Sequence, residues 1–210
     1  MAEREHQGLL IDFGGVLTTN IWASFNSFCD HEGLERDAVR ELFRERGEGL
    51  ALLRKLERGE VSDADFEREF GAMLAVEPAG LIERLFAGLG PDEAMIAAVE
   101  GVRAGGVPAG LISNSWGMGI YDRAPMAIFD ATVVSGDAGL HKPQPEIYRL
   151  GAERIGIAPE RCVFVDDLRE NVEGAEAVGM TGVLHRESVA TIAELERLFE
   201  IDLTGDRSRA

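Results

Sequence analysis

Cysteine is nearly missing from this chain of 210 residues: Cys29 and Cys162 are its only two, far apart and each among apolar neighbours. A disulfide framework and a cysteine-based zinc site are not indicated, and both residues are expected as buried thiols. Positive charge is scarce as well. Twenty-one Lys and Arg stand against 38 Asp and Glu, a formal net charge of −17. That balance argues against a nonspecific nucleic-acid partner or an anionic membrane surface, and an anionic small substrate would need a local cation of its own. No apolar run reaches the roughly 20 residues that span a bilayer. Residues 1–7 are polar and lack the apolar stretch of a secretion signal, so the expected location is cytoplasmic. Nothing in the sequence speaks to oligomeric state.

What the chain does have is 45% apolar residues, enough for one domain or one domain carrying a subdomain. Its first apolar run, Leu9-Leu10-Ile11, meets Asp12 and continues as Phe13-Gly14-Gly15-Val16-Leu17. A buried strand over residues 9 to 12 would put one carboxylate at its carboxyl edge, and two glycines let the chain coil beside it and a ligand approach. Taken alone, the segment reads equally well as a strand end whose acid accepts a turn hydrogen bond. From Ile21 to about residue 104 the apolar period is helical, with Ile21, Trp22, Phe25, Phe28 and Cys29 on one face. Ser62 to Asp65 marks a capped helix start, and Pro91 opens a helix over 92 to 104 that stops at Gly105-Gly106.

After Val107, short apolar strands alternate with helices. Strands are expected at 109 to 113, 131 to 134, 162 to 166 and 181 to 184, and helices near 145 to 155, 168 to 178 and 190 to 199. Such alternation predicts an α/β fold, a Rossmann-like parallel sheet with helices on both faces, and the first strand joins it. Residues 1–17 and 105–210 then form the core, with 18–104 as an inserted helical subdomain.

Ligands of such a sheet collect beyond the carboxyl ends of its strands. The polar residues fall there: Asp12 after the first strand, Ser113-Asn114-Ser115 after the second, Lys142 after the third, Asp166-Asp167 after the fourth. Three carboxylates at one edge would repel one another without a hard divalent cation among them.

In order and spacing these stretches resemble the four motifs of the haloacid dehalogenase superfamily, most of whose members are phosphate-transferring hydrolases. Asp12 to Leu17 looks like the first motif, Leu111 to Ser115 the second, His141 to Tyr148 the third and Val163 to Asn171 the fourth. The resemblance implies a helical cap at the insertion and a magnesium-dependent phosphatase acting on a small phosphorylated metabolite. Asp12 would be the nucleophile that forms an aspartyl phosphate. Mg²⁺ would be held by Asp12, the backbone carbonyl of Gly14 and Asp167, with Asp166 near it directly or through water. Ser113 and the backbone N–H of Asn114 would bind phosphate oxygens, and Lys142 would neutralise the developing charge and tether the acids.

One position departs from that pattern. The family's phosphatases usually carry a second aspartate, the general acid and base, two residues after the nucleophile; here Gly14 stands there. General acid–base assistance contributes about a hundredfold to ten-thousandfold. Three readings follow: a phosphatase in which water or a cap residue supplies the proton, a metal-independent 2-haloacid dehalogenase, or a catalytically weakened protein that binds a phospholigand. The adjacent acids Asp166-Asp167 argue against the dehalogenase, since halide displacement needs no metal. Asn171, four residues beyond Asp167, reads as a ligand of metal-bound water or as a helix cap. His141 reads as solvated or as a local hydrogen-bond partner, Trp116 as core or substrate wall, and Thr18 to Asn20 as a hinge.

Overall fold

A computed structural model of the chain describes residues 4–43, 47–115 and 126–203. Five parallel strands, β1 (Gly8–Ile11), β2 (Ala109–Ser113), β3 (Ala131–Val134), β4 (Cys162–Asp166) and β5 (Thr181–Leu184), form one sheet in the order β3-β2-β1-β4-β5. The chain runs outward from β1 to β3, then crosses back to β4, so β1 and β4 flank the point where crossover directions diverge.

The apolar runs alternate between the two faces. Leu9, Ile11, Leu111, Val163 and Val165 enter one core, with α6 (Glu93–Ala104) and α10 (Ser188–Phe199) over it. Leu10, Ile112, Cys162 and Phe164 enter the other, covered by α8 (Pro145–Ile155) and α9 (Arg169–Glu176). Residues buried on both faces read in sequence as continuous apolar strands, and that is how this sheet could be anticipated. The last four strands fall at the expected residues. β1 ends at Ile11, one residue early, which frees Asp12 from the ladder beyond its own N–H. A single turn not expected from the sequence, α7 (Ser135–Ala138), follows β3 and ends at Gly139.

Between β1 and α6 lie α1 (Ile21–Glu32), α2 (Ala38–Leu42), α3 (Glu48–Glu57), α4 (Asp63–Leu74) and α5 (Leu81–Leu85). They share a cluster of their own, in which Phe25, Phe28, Leu56, Phe66, Phe70 and Leu81 are buried. Local signals place the helix ends: the Asn20 side chain accepts the Trp22 N–H, Ser62 Oγ accepts the Asp65 N–H, and α1 stops at Gly33. α6, grouped with this insertion on sequence, instead packs Met95, Val99 and Val102 into the core of the sheet, because its apolar face continues the surface of β2. The chains entering and leaving the helical cluster pair briefly, through the Thr19 N–H to the Gly90 carbonyl and the Asp92 N–H to the Leu17 carbonyl. Cys29 and Cys162 are buried free thiols. Trp116 and the tail 204–210 lie outside the described residues. Among the described residues no helix is long and apolar enough to cross a membrane.

Candidate active site

Because Ile11 sits beside Val165 in register, Asp12 and Asp166 leave the sheet as neighbours. The Asp12 N–H still donates to the Val165 carbonyl at 2.9 Å, which fixes where its side chain starts. Lys142 reaches them from the loop before α8. Its ammonium lies 2.7 Å from Asp12 Oδ1 and 2.6 Å from Asp166 Oδ2, with the side chain 1% exposed. Asp167 completes the group: one oxygen from each of Asp12, Asp166 and Asp167 lies within 4.8 Å of the others.

These three acids are in unlike positions. Asp166, fully buried, accepts the Leu168 N–H and the Asn171 side-chain amide as well as Lys142, so its oxygens are engaged. Asn171 therefore does not cap α9, as one of its two expected roles held; it orients Asp166. Among the described residues, Asp12 and Asp167 are less fully engaged: Asp12 pairs through Oδ1 with Lys142, and Asp167 accepts its own backbone N–H. Burial pushes the Asp12 carboxyl up to about 7, with Lys142 opposing and Asp166 and Asp167 adding to the rise. Burial and then Asp166 push Asp167 up to about 6. Burial by itself would lower the Lys142 ammonium, but Asp12 and Asp166 outweigh it and hold the group above its ordinary value. Three carboxylates against one ammonium leave two charges uncompensated, which is the donor set a hard divalent cation takes.

The neighbouring residues shape the rest. Gly15 has φ +74°, and a Cβ there would come within 2.6 Å of Asp167 Oδ2, so only glycine lets the loop pass under that carboxylate. At Gly14 a Cβ would meet nothing within 4 Å, so the position has room for a side chain. Ser113 is buried at the end of β2, and its hydroxyl has no hydrogen-bond partner among the described residues, an arrangement suited to a ligand oxygen. The Asn114 side chain takes a role not foreseen in the sequence. Its Oδ1 accepts the Lys142 N–H at 2.8 Å and its Nδ2 donates to the Lys142 carbonyl at 3.1 Å, clamping the lysine's backbone. His141 lies with Nδ1 3.3 Å from that same carbonyl, a local partner.

Two further residues at this rim were not singled out from the sequence. Ser135 Oγ accepts the Ser115 N–H at 2.8 Å and lies 3.0 Å from the carbonyl oxygens of Ser115 and Glu57, joining the end of α3 to the ends of β2 and β3. Glu57 is the last residue of α3, where the helix dipole disfavours an acid. That local misfit is the signal by which it could have been noticed.

Residues 6–179 match the model of the haloacid dehalogenase-like hydrolases. A sesquiterpene phosphatase of Aspergillus oryzae, astK, is 28% identical over 196 residues, covering 90% of this chain and 94% of that protein. The chain spans well under half the length of several other curated relatives. Among solved structures, a HAD family enzyme of Bacteroides thetaiotaomicron, crystallised with magnesium and inorganic phosphate, superposes with TM-score 0.69 at 22% identity, over 86% of this chain and 94% of that one. A dehalogenase superposes with TM-score 0.70 at 20% identity, over 94% and 98%. At those identities the likeness shows the fold, a Rossmann-like α/β sheet. The match across most of its length, with the four motifs converging at one rim of that sheet, makes this chain a member of the haloacid dehalogenase-like hydrolases.

Proposed function

We propose that this hydrolase cleaves the phosphate monoester of a small metabolite by forming an aspartyl phosphate on Asp12. The observation that carries the reading is the convergence of Asp12, Asp166 and Asp167 around the buried Lys142, with the Ser113 hydroxyl, unpartnered among the described residues, buried at the end of the adjacent strand.

Asp12, Asp167 and the Gly14 carbonyl would hold Mg²⁺, with Asp166 beside them. When bound, the ion would supply positive charge that offsets the repulsion of a carboxylate nucleophile and an anionic phosphate. Asp12 is the attacking group: it stands on a rigid strand end, and Lys142 fixes one of its oxygens and leaves the other for phosphorus. Lys142 remains an ammonium throughout, because two carboxylates stabilise its charge. It thereby offsets charge on the transferring group. Ser113 donates to a phosphoryl oxygen. Asn114 and Asn171 act through others, holding Lys142 and Asp166 in place. The helical cluster of α1 to α5, tied to the sheet by a paired neck at Thr19 and Gly90, serves as a cap over this rim and ends near residue 90.

A direct assay is phosphate release from an aryl phosphate, a panel of sugar phosphates and a sesquiterpenyl phosphate, with Mg²⁺ or chelator, beside chloride release from 2-chloropropionate. The reading expects metal-dependent phosphate release that Asp12→Asn abolishes. Chloride release insensitive to chelator would replace it with the dehalogenase.

A further inference from the structure

A phosphatase needs a group that gives a proton to the departing alcohol and later takes one from water. Among the described residues at the rim of the sheet, none fits, Asp167 being assigned to the metal in that reading. Gly14 has no side chain, Asp12 is committed to phosphorus, Asp166 is engaged on both oxygens, and Lys142 is held charged by its neighbours. Glu57 comes from the opposite side, the inserted helices. Its backbone carbonyl faces Ser135 Oγ at 3.0 Å, and Ser135 in turn binds the Ser115 backbone, two residues past Ser113. Through that contact the end of α3 is fixed at the carboxyl edge of the sheet. Glu57 lines a cavity of ≈ 210 Å³ with Arg58, Glu60, Ser135, Leu140 and His141, the last of these adjacent in sequence to Lys142. Its carboxyl has no hydrogen-bond or ion-pair partner among the described residues, whereas Arg58 and Glu60 beside it pair with each other at 2.6 Å.

We propose that Glu57 is the proton-transfer residue of this site, brought from the inserted helices to replace the carboxyl that position 14 lacks. The proposal rests on the phosphatase reading above. In the first step Asp12 forms a bond to phosphorus as the bond from phosphorus to the ester oxygen breaks, and the Glu57 carboxyl gives its proton to that oxygen, releasing the alcohol. In the second, the Glu57 carboxylate takes a proton from water as the water oxygen attacks phosphorus and Asp12 leaves. Inorganic phosphate departs, and Glu57 is again protonated. The environment suits both roles: burial pushes the Glu57 carboxyl up to about 7, against the pull of Lys142, Arg54 and Arg58, so near neutral pH both forms are populated.

The test is Glu57→Gln, assayed with an alkyl and an aryl phosphate while the phosphoenzyme is trapped by acid quench and located by peptide mapping. An alkyl ester needs its departing oxygen protonated, so turnover should fall about a hundredfold to ten-thousandfold. With the aryl ester the phosphoenzyme should still form at the wild-type rate but accumulate, because only its hydrolysis is slowed. A merely structural role would not separate the two steps. Gly14→Asp in the Glu57→Gln background should restore alkyl turnover in part, since that position is open. If Glu57→Gln does not fold, Glu57→Ala with added formate gives the same reading by chemical rescue. Equal loss on both esters with no accumulation, or no loss at all, would overturn the proposal while leaving Asp12 as nucleophile. Absence of a phosphoenzyme in the wild type, with phosphate release intact in Asp12→Asn, would overturn both.

Discussion

The rim of the sheet and the helical insertion above it are built on different principles. At the rim, Asp12 and Asp166 grow from strand ends whose neighbours are buried on both faces, Lys142 comes from the loop before α8, and named partners fix them: the Lys142 backbone is held by the Asn114 side chain and its ammonium by Asp12 and Asp166, and the Asp166 carboxylate is held by Asn171 and the Leu168 N–H. In the insertion, an aromatic cluster of Phe25, Phe66 and Phe70 holds short helices together, and a paired neck and the Glu57–Ser135 contact tie it down. The rim is suited to a nucleophile that must not move. The insertion is suited to groups that arrive with closure.

The difference can be broken most severely at Asp12. Asp12→Asn should lower phosphate release by about 10⁵-fold or more in a steady-state assay, since groups acting as one unit lose nearly everything when the nucleophile goes. Lys142→Met comes next. It removes the cation between two buried carboxylates, and loss of one partner from a buried pair costs about 3–5 kcal/mol, so metal-free thermal and urea unfolding should show destabilisation of that order. Excess Mg²⁺ should recover part of that stability but little activity.

Smaller effects should separate ligands from the residues that orient them. Asn171→Ala, which frees Asp166 to rotate, should weaken Mg²⁺ binding by about 10–100-fold in a calorimetric titration, and Asp167→Ala should weaken it more. Equal losses would mean that Asp167 is not a direct ligand. Gly15→Ala forces a side chain into positive φ and against Asp167, and should cost about 1–3 kcal/mol.

The pH dependence should be modest and should depend on the metal. A carboxyl whose folded value lies above its unfolded one keeps its proton longer in the folded chain. It therefore favours the fold at low pH, and that stabilisation is lost as pH rises from the ordinary 3.8 towards about 7 for Asp12 and about 6 for Asp167. The metal-free protein should thus lose stability across that interval. Mg²⁺ must displace these protons at about pH 5 and need not at about pH 8, so its effect on Tm should be larger at the higher pH. At a hundredfold excess over Kd the gain is about 2.7 kcal/mol, roughly 5–10 °C for a chain of this size.

The strands and the rim residues were readable because both follow from local pattern. Continuous apolar runs such as Cys162 to Asp166 mark a strand buried on two faces, and the polar residue that ends each run lies where a parallel sheet binds ligands. Residues whose roles depend on distant partners were not readable. Asn114 meets Lys142 across 28 positions, and Glu57 meets Ser135 across 78. The grouping of α6 with the insertion failed for a related reason: its helical period is the same whichever surface it covers, and only the sheet decides that Met95 and Val99 face inward.

The central claim, that Asp12 and Asp167 close around a divalent cation beside Lys142, is tested most directly by a crystal structure grown with Mg²⁺ and beryllium fluoride. The account predicts an ion at about 2.0–2.1 Å from an oxygen of each of the two aspartates, and fluoroberyllate on the free oxygen of Asp12. An ion bound elsewhere, or fluoroberyllate absent from Asp12 while the Lys142 pairs stay closed, would contradict it.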